Sequence, residues 1–313
     1  MMYLKEKIFD LLTPECELSK TIIVTGFPRS GTTWMAEIIR EISGSKLLNE
    51  PLRQNTPPRA GEVGFNSRKF IGPSEEHPQK KAFLSNVLKG KVGKNANWYF
   101  KEQDSFGKLN EHFTNRKLVV KFCRAGGIIH WLDNQFDMKG IVTIIRHPCA
   151  TIDSMMRWAD YWKEPEGEWL QKRRLAYKTN VPENIYNRFK DIFQGFTSWE
   201  ENLAIMWCLE YYFLLEEYPN TNNKWILISY ERLLIDGESE IKNTISKLGL
   251  DTDSTNIFLS RPSKTASDSL NSTNLEEQIY KYKKNLSTVQ IDQILKIVDT
   301  FGINYEKYLS LSK

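Results

Sequence analysis

The 313-residue sequence predicts a three-layer α/β fold, a mainly parallel sheet flanked by helices, and three observations carry that reading. Short Val- and Ile-rich runs recur and are apolar almost throughout, as strands covered on both faces must be. Helical segments lie between and after these runs, giving the alternation that parallel strands require. A glycine loop joins the first run directly to the first helix, a layout that α/β proteins use for anions.

The strands are expected at Thr21–Thr25, Leu118–Phe122, 141–145 and Trp225–Ser229. Helices are expected over 32–42, 127–136 and Pro148–Trp158, each following a strand. Pro148 suits a first helical position, where no N–H is needed. A helix over 238–248 stops at Gly249. Ser287 and Gln290 have the spacing of a capping box that opens a last amphipathic helix through Asp299. The stretch 203–215 is too short to span a bilayer and contains Glu210, so its Met, Trp and Tyr content reads as a buried helix.

No internal repeat or low-complexity tract breaks the pattern. Two long polar stretches do, at 49–78 and 161–198. Insertions of that length are usually lids or substrate loops. The expectation is one domain over 1–313 with these two loops elaborated upon it.

Apolar residues make up 40% and charged residues 26%, enough apolar content for a real core. The net charge of +4 suits a local anion pocket and is too weak for a nucleic-acid coat. Cys16, Cys123, Cys149 and Cys208 lie far apart, with no C-x-x-C pair and no His at ligand spacing. That argues against a disulfide framework or a zinc site and for a reducing compartment. Residues 1–10 alternate charged with apolar positions and lack the apolar run of a signal peptide. A cytoplasmic protein is expected, with no membrane or nucleic-acid partner; the sequence is silent on oligomeric state.

Thr21–Thr25 runs straight into Gly26-Phe27-Pro28-Arg29-Ser30-Gly31-Thr32-Thr33-Trp34. Gly26 and Gly31 permit the tight turn that aims successive backbone N–H groups at an anion over a helix N-terminus. The nucleotide-hydrolase loop reads G-x-x-x-x-G-K-[ST]. Thr32 stands here in place of its lysine, and Arg29 lies inside the loop. Such a loop suits one terminal tetrahedral anion better than a triphosphate chain. The third strand ends in Arg146, not in the acidic residue that helps hold magnesium, so no metal is expected.

The run from Phe27 to Trp34 resembles the 5′-phosphosulfate loop of the sulfotransferases that use 3′-phosphoadenosine-5′-phosphosulfate (PAPS), with its Pro-Lys/Arg-Ser-Gly-Thr-Thr core. The resemblance implies their P-loop-like fold. It also implies that Arg29, Ser30, Gly31, Thr32 and Thr33 hold the 5′-phosphate and sulfate, with Trp34 against the adenine. A tryptophan packed in the core is the other reading of Trp34.

A second motif, Arg146-His147-Pro148-Cys149-Ala150-Thr151-Ile152-Asp153-Ser154, begins at the carboxyl end of the third strand, where open α/β sheets bind ligands. A guanidinium and a hydroxyl there can take a phosphate monoester from two sides. In the family, an Arg at a strand end and a Ser eight residues later hold the 3′-phosphate, which implies that role for Arg146 and Ser154, with His147 in the same turn. The Arg-His-Pro-Cys-Ala form is closer to bacterial and carbohydrate-type members than to the animal cytosolic branch. Tyr230 matches the family's strand-end tyrosine that contacts adenine. Ser263 and Lys264 match its late loop over the nucleotide, although Arg261-Pro262-Ser263-Lys264-Thr265 departs from the cytosolic Arg-Lys-Gly form. The resemblance runs from Thr21 to about Thr265.

Sulfuryl transfer needs charge stabilised on the leaving group, which backbone amides and the catalytic candidate Arg29, with Thr32, can supply without a metal, and a base for the acceptor proton. The cytosolic branch's histidine is absent, since Lys121-Phe122-Cys123 stands in its place. Other branches use a Glu after the first helix, commonly before Pro, which points to Glu50 in Leu48-Asn49-Glu50-Pro51. Pro51 disfavours helix at Glu50 and sets it on a loop. Such a base is expected to have a pKa raised by partial burial. His130 is the alternative base. Lys121 could reach the leaving group's bridging oxygen, and a solvent-facing lysine is the other reading.

The implied activity moves a sulfuryl group from PAPS to a hydroxyl or amine of a soluble small-molecule acceptor, a metabolite or natural product, and releases 3′,5′-bisphosphoadenosine (PAP). Trp98, Tyr99, Phe100, Trp158, Tyr161, Trp162 and Trp169 could line an acceptor cleft, or could pack loops onto the body. Lys172-Arg173-Arg174 reads as a solvated helix face, or as a run that could attract an anionic glycan. An ATP-dependent small-molecule kinase and a non-catalytic PAP-binding module stay open as alternatives.

Overall fold

Neighbouring residues of a strand face opposite sides of a sheet, and in this sequence both sides are apolar. The computed structural model describes residues 12–54, 57–65, 68–99, 105–158, 166–217, 225–251 and 275–309. Its six strands are β1 Thr21–Thr25, β2 Lys46–Asn49, β3 Trp98–Tyr99, β4 Leu118–Phe122, β5 Gly140–Ile145 and β6 Trp225–Ser229. They form one sheet in the order β3-β2-β4-β1-β5-β6, parallel except for the antiparallel β2–β3 pair.

Ile23, Leu48, Val120, Phe122, Ile141 and Ile145 face one core, built with helices that include Ile129–Gln135, Pro148–Trp158, Trp199–Glu217 and Thr288–Thr300. Ile22, Val24, Leu47, Val119, Val142, Ile144, Ile226 and Ile228 face the other, closed by Thr32–Ser43 and Gly237–Lys247. The three-layer reading is correct. Both sides of the capping box at Ser287 and Gln290 are made. Among the described residues, no helix is long and apolar enough to cross a membrane.

Two features differ from the sequence reading. β2 and β3 carry no Val- or Ile-rich run, and Lys46 breaks the apolar pattern of β2. That lysine is nevertheless buried, with Nζ donating to the His112 carbonyl at 3.3 Å. The stretch 161–198, expected as a lid or substrate loop, contains the helices Glu166–Asn180, Glu183–Arg188 and Lys190–Gly195. Tyr177, Tyr186, Phe189, Phe193 and Phe196 of this stretch are buried in the main core. Burial of that much aromatic surface makes it part of the body.

β4 and β5 flank β1 on opposite sides, so the connection between them crosses over it. The carboxyl ends of these strands lie side by side, where an open α/β sheet has its binding crevice.

Candidate active site

Two glycines shape the loop after β1. Gly26 has φ +148°, and a Cβ there would lie 2.4 Å from the Ile144 carbonyl oxygen. Gly31 has φ +96°, and a Cβ there would lie 2.6 Å from the Tyr230 ring. Tyr211, from the buried Trp199–Glu217 helix, braces the turn. Its hydroxyl accepts from Phe27 N at 3.0 Å and donates to the Ile144 carbonyl at 2.7 Å. Ser30 Oγ donates to the Phe27 carbonyl at 2.6 Å. The helix Thr32–Ser43 starts at once, and no side chain caps it. Its first N–H groups therefore face the loop with the positive end of the helix dipole behind them.

The second motif closes onto this loop. Arg146 Nη1 donates to the Arg29 carbonyl at 2.9 Å, and Arg29 Nε donates to Ser154 Oγ at 3.1 Å. The Arg146 guanidinium lies 4.4 Å from the Tyr230 ring centroid, and Trp34 meets Tyr230 edge-on at 6.3 Å. Burial and the neighbouring Arg146 and Arg157 hold the Arg29 pKa below its ordinary value. Clustered guanidiniums repel one another until an anion enters. Arg157 is itself paired with Asp153 at 3.1 Å. Arg146 Nε and Trp34 Nε1 are buried polar atoms with no hydrogen-bond partner among the described residues.

On the other side of the loop, Asn49 of β2 is in register with Lys121 of β4, and Glu50 N donates to the Lys121 carbonyl at 2.8 Å. Lys121 Nζ lies 3.1 Å from Glu50 Oε1, an ion-pair approach short of hydrogen-bond alignment. Cys123 Sγ lies 3.4 Å from Thr32 Oγ1, at the start of the helix that follows the glycine loop. Burial works to raise the Glu50 pKa. Lys121, the Cys123 thiol and Arg124 outweigh it and hold the carboxyl below its ordinary value. The raised value expected from the sequence is therefore corrected. Burial works to lower the Lys121 pKa, and Cys123 and Glu50 raise it above the ordinary value instead. Lys121 is 7% exposed, so the solvent-facing reading fails.

His130 does not reach this cluster. Its ring lies 4.5 Å from Trp225, and its Nε2 is 3.1 Å from the Phe213 carbonyl. Trp225 opens β6 at the amino edge, four residue rises or roughly 13 Å from Ser229 at the carboxyl end. His147 stacks on Tyr282 at 4.8 Å and meets Tyr305 edge-on at 5.2 Å, so its ring belongs to the packing behind Arg146. Thr33 sits in the first turn of the loop helix. Ser263 and Lys264 lie outside the described residues, as do Phe100, Tyr161 and Trp162.

The remaining aromatics divide. Trp169 packs on Trp199 at 3.9 Å, and Trp98 meets His112 at 4.8 Å, while Trp158 is 50% exposed. Lys172 pairs with Glu168 on an exposed helix face. Arg68 was not singled out by the sequence, yet it pairs with buried Glu210 and donates to the Cys123 carbonyl at 3.2 Å. Its guanidinium also covers the Phe27 ring at 4.7 Å. Glu210 Oε1 accepts from Gly126 N at 2.9 Å. A glutamate inside an apolar helix was the one signal of this buried pair.

No protein-family model and no curated protein matches the chain. Solved structures to which its fold is similar include several sulfotransferases. The sulfotransferase domain of the Synechococcus PCC 7002 olefin synthase is 17% identical, with 91% of this chain and 94% of that one covered at a TM-score of 0.45. Sulfotransferase STF1 from Mycobacterium tuberculosis H37Rv is 13% identical, covering 96% and 80% at a TM-score of 0.46. A mouse sulfotransferase complexed with PAP is 14% identical, covering 98% and 90% at a TM-score of 0.42. Similarity at this level carries none of the chemistry, which rests on the site's own residues.

Proposed function

We propose that the chain transfers a sulfuryl group from PAPS to a hydroxyl or amine of a small-molecule acceptor and releases PAP. The observation that carries this reading is the contact of Arg146 and Ser154 with Arg29, which gathers two anion-binding motifs into one cationic cluster. A nucleotide with an anion at each end of one adenosine suits that arrangement. The buried, unpartnered Arg146 Nε and Trp34 Nε1 have the donor chemistry to receive it.

In this reading, Arg29 and the N–H groups of the Gly31–Thr33 turn hold the 5′ side, and Arg146 and Ser154 hold the 3′-phosphate. Trp34 and Tyr230 offer aromatic surface to the base. PAPS supplies the sulfuryl group and a stable leaving group. Glu50 takes the acceptor proton, and its low pKa keeps it ionised and ready at neutral pH. As that proton arrives, the pair with Lys121 weakens. The ammonium is then left to face negative charge developing on the phosphate side. Thr32, touching Cys123, keeps the base cluster in step with the loop.

The test is an acceptor screen with sulfur-labelled PAPS, read as label appearing in product. Transfer without added magnesium is expected. Magnesium-dependent phosphorylation from ATP would favour a kinase instead. PAP binding with no transfer to any acceptor would favour a non-catalytic module.

A further inference from the structure

Beyond Glu50, the chain walls a small cavity with Leu52, Phe65 and Ile128 and places Arg68, Lys69 and Arg124 on it. Three cations converge there, and no acidic side chain lines it. Arg68 is neutralised by Glu210. Lys69 and Arg124, both half-buried, make no side-chain hydrogen bond or salt bridge among the described residues. Partly desolvated cations without a hydrogen-bonded counter-charge are costly, and an incoming anion would offset that cost.

The cavity belongs to the reacting end of the molecule. Arg124 follows Cys123, which touches Thr32 of the phosphate loop, and lies within the field of Glu50. Leu52, which also lines the cavity, follows Glu50 by two residues. The cavity interior has room for about one water molecule, so an anionic group would sit at its mouth, beside the partly exposed Lys69 and Arg124.

We infer that the acceptor carries an anionic group, a carboxylate, sulfate or phosphate, which seats between Lys69 and Arg124 at the mouth of this cavity. This rests on the sulfuryl-transfer reading for the word acceptor; the anion seat itself does not. Recognition of this kind fixes the orientation of a flexible acceptor, so that its hydroxyl or amine is held at Glu50.

The test uses the full chain and two matched probe pairs, para-hydroxyphenylacetate against its amide and ω-hydroxydecanoate against its amide. Binding is measured by calorimetry, with saturating PAP and without it. The carboxylate of each pair is expected to bind at least about tenfold tighter, in line with charge-assisted hydrogen bonds. In Lys69→Gln/Arg124→Gln that preference should fall at least about fivefold, with PAP affinity and Tm kept. If the double variant melts early, Lys69→Gln alone supplies the comparison. Equal binding within both pairs, no binding by either carboxylate, or a preference unchanged by the substitutions overturns the inference. Failure of PAP itself to bind strikes the sulfuryl-transfer reading alone, because the pairwise preference is still read in nucleotide-free protein.

Discussion

Arg29 Nε donates to Ser154 Oγ at 3.1 Å, joining positions 125 residues apart at the carboxyl edge of the sheet. The side chain expected to hold one end of a nucleotide thus touches the side chain expected to hold the other. The hydrogen bond from Arg146 to the Arg29 carbonyl closes the same bridge from the backbone side.

Glu50→Gln keeps the shape of the proposed base and removes its proton affinity. Turnover is expected to fall by about 10²–10⁴ while PAP affinity stays within about threefold, measured by single-turnover kinetics and calorimetry. Because Lys121 holds Glu50 below the ordinary carboxyl value, the ionised base persists to lower pH. The rate should stay level from neutral pH down to about 5 and fall only below the usual carboxylate range. An acidic limb near pH 6 to 7 would assign the base to another group.

Tyr211→Phe deletes one hydroxyl that serves two buried backbone groups, Phe27 N and the Ile144 carbonyl. Leaving both unpaired is expected to destabilise the protein by about 1–3 kcal/mol in denaturant unfolding. PAP affinity should drop as well, since the phosphate loop loses its brace. Full stability with intact PAP binding would show that the brace is dispensable.

His112 is 1% exposed, and burial, aided by Lys46, lowers its pKa to about 4. The unfolded chain binds that proton near pH 6.5, so the stability from neutral His112 is complete above that pH and is lost as pH falls toward 4. His147, lowered to about 4 by burial, Arg146 and Lys283, acts in the same direction. Unfolding free energy should therefore decline over this window, and His112→Gln should flatten the decline. The part due to His112 is at most about 3 kcal/mol. An unchanged slope in the variant would remove His112 from the account.

The legible parts of this chain are those with local signals. β1, β4, β5 and β6 announce themselves as Val- and Ile-rich runs, and the glycine loop stands directly after one of them. β2 is hidden because Lys46 interrupts its apolar pattern, although the strand buries that lysine against His112. The stretch 161–198 reads as polar because its three helices bury scattered aromatics without one long amphipathic period.

The surroundings of the proposed base were not legible in the sequence. Glu50 and Lys121 meet because Asn49 and Lys121 share a register across β2 and β4, a pairing with no local trace. The direction of the Glu50 pKa depends on that meeting and so could not be read beforehand. His130 was a reasonable alternative by position along the chain. Its contact with Trp225 at the amino edge of β6 sets it apart from the loop.

Calorimetry of Arg146→Ala with two ligands tests the two-ended nucleotide site most directly. PAP carries a 3′-phosphate, and adenosine-5′-phosphosulfate does not. The variant should lose about 100-fold or more in affinity for PAP. It should lose only a few-fold for the second ligand, through slackening of the Arg29 carbonyl contact. Equal losses for both would mean that position 146 senses no 3′-phosphate, and the assignment of the second anion motif would be wrong.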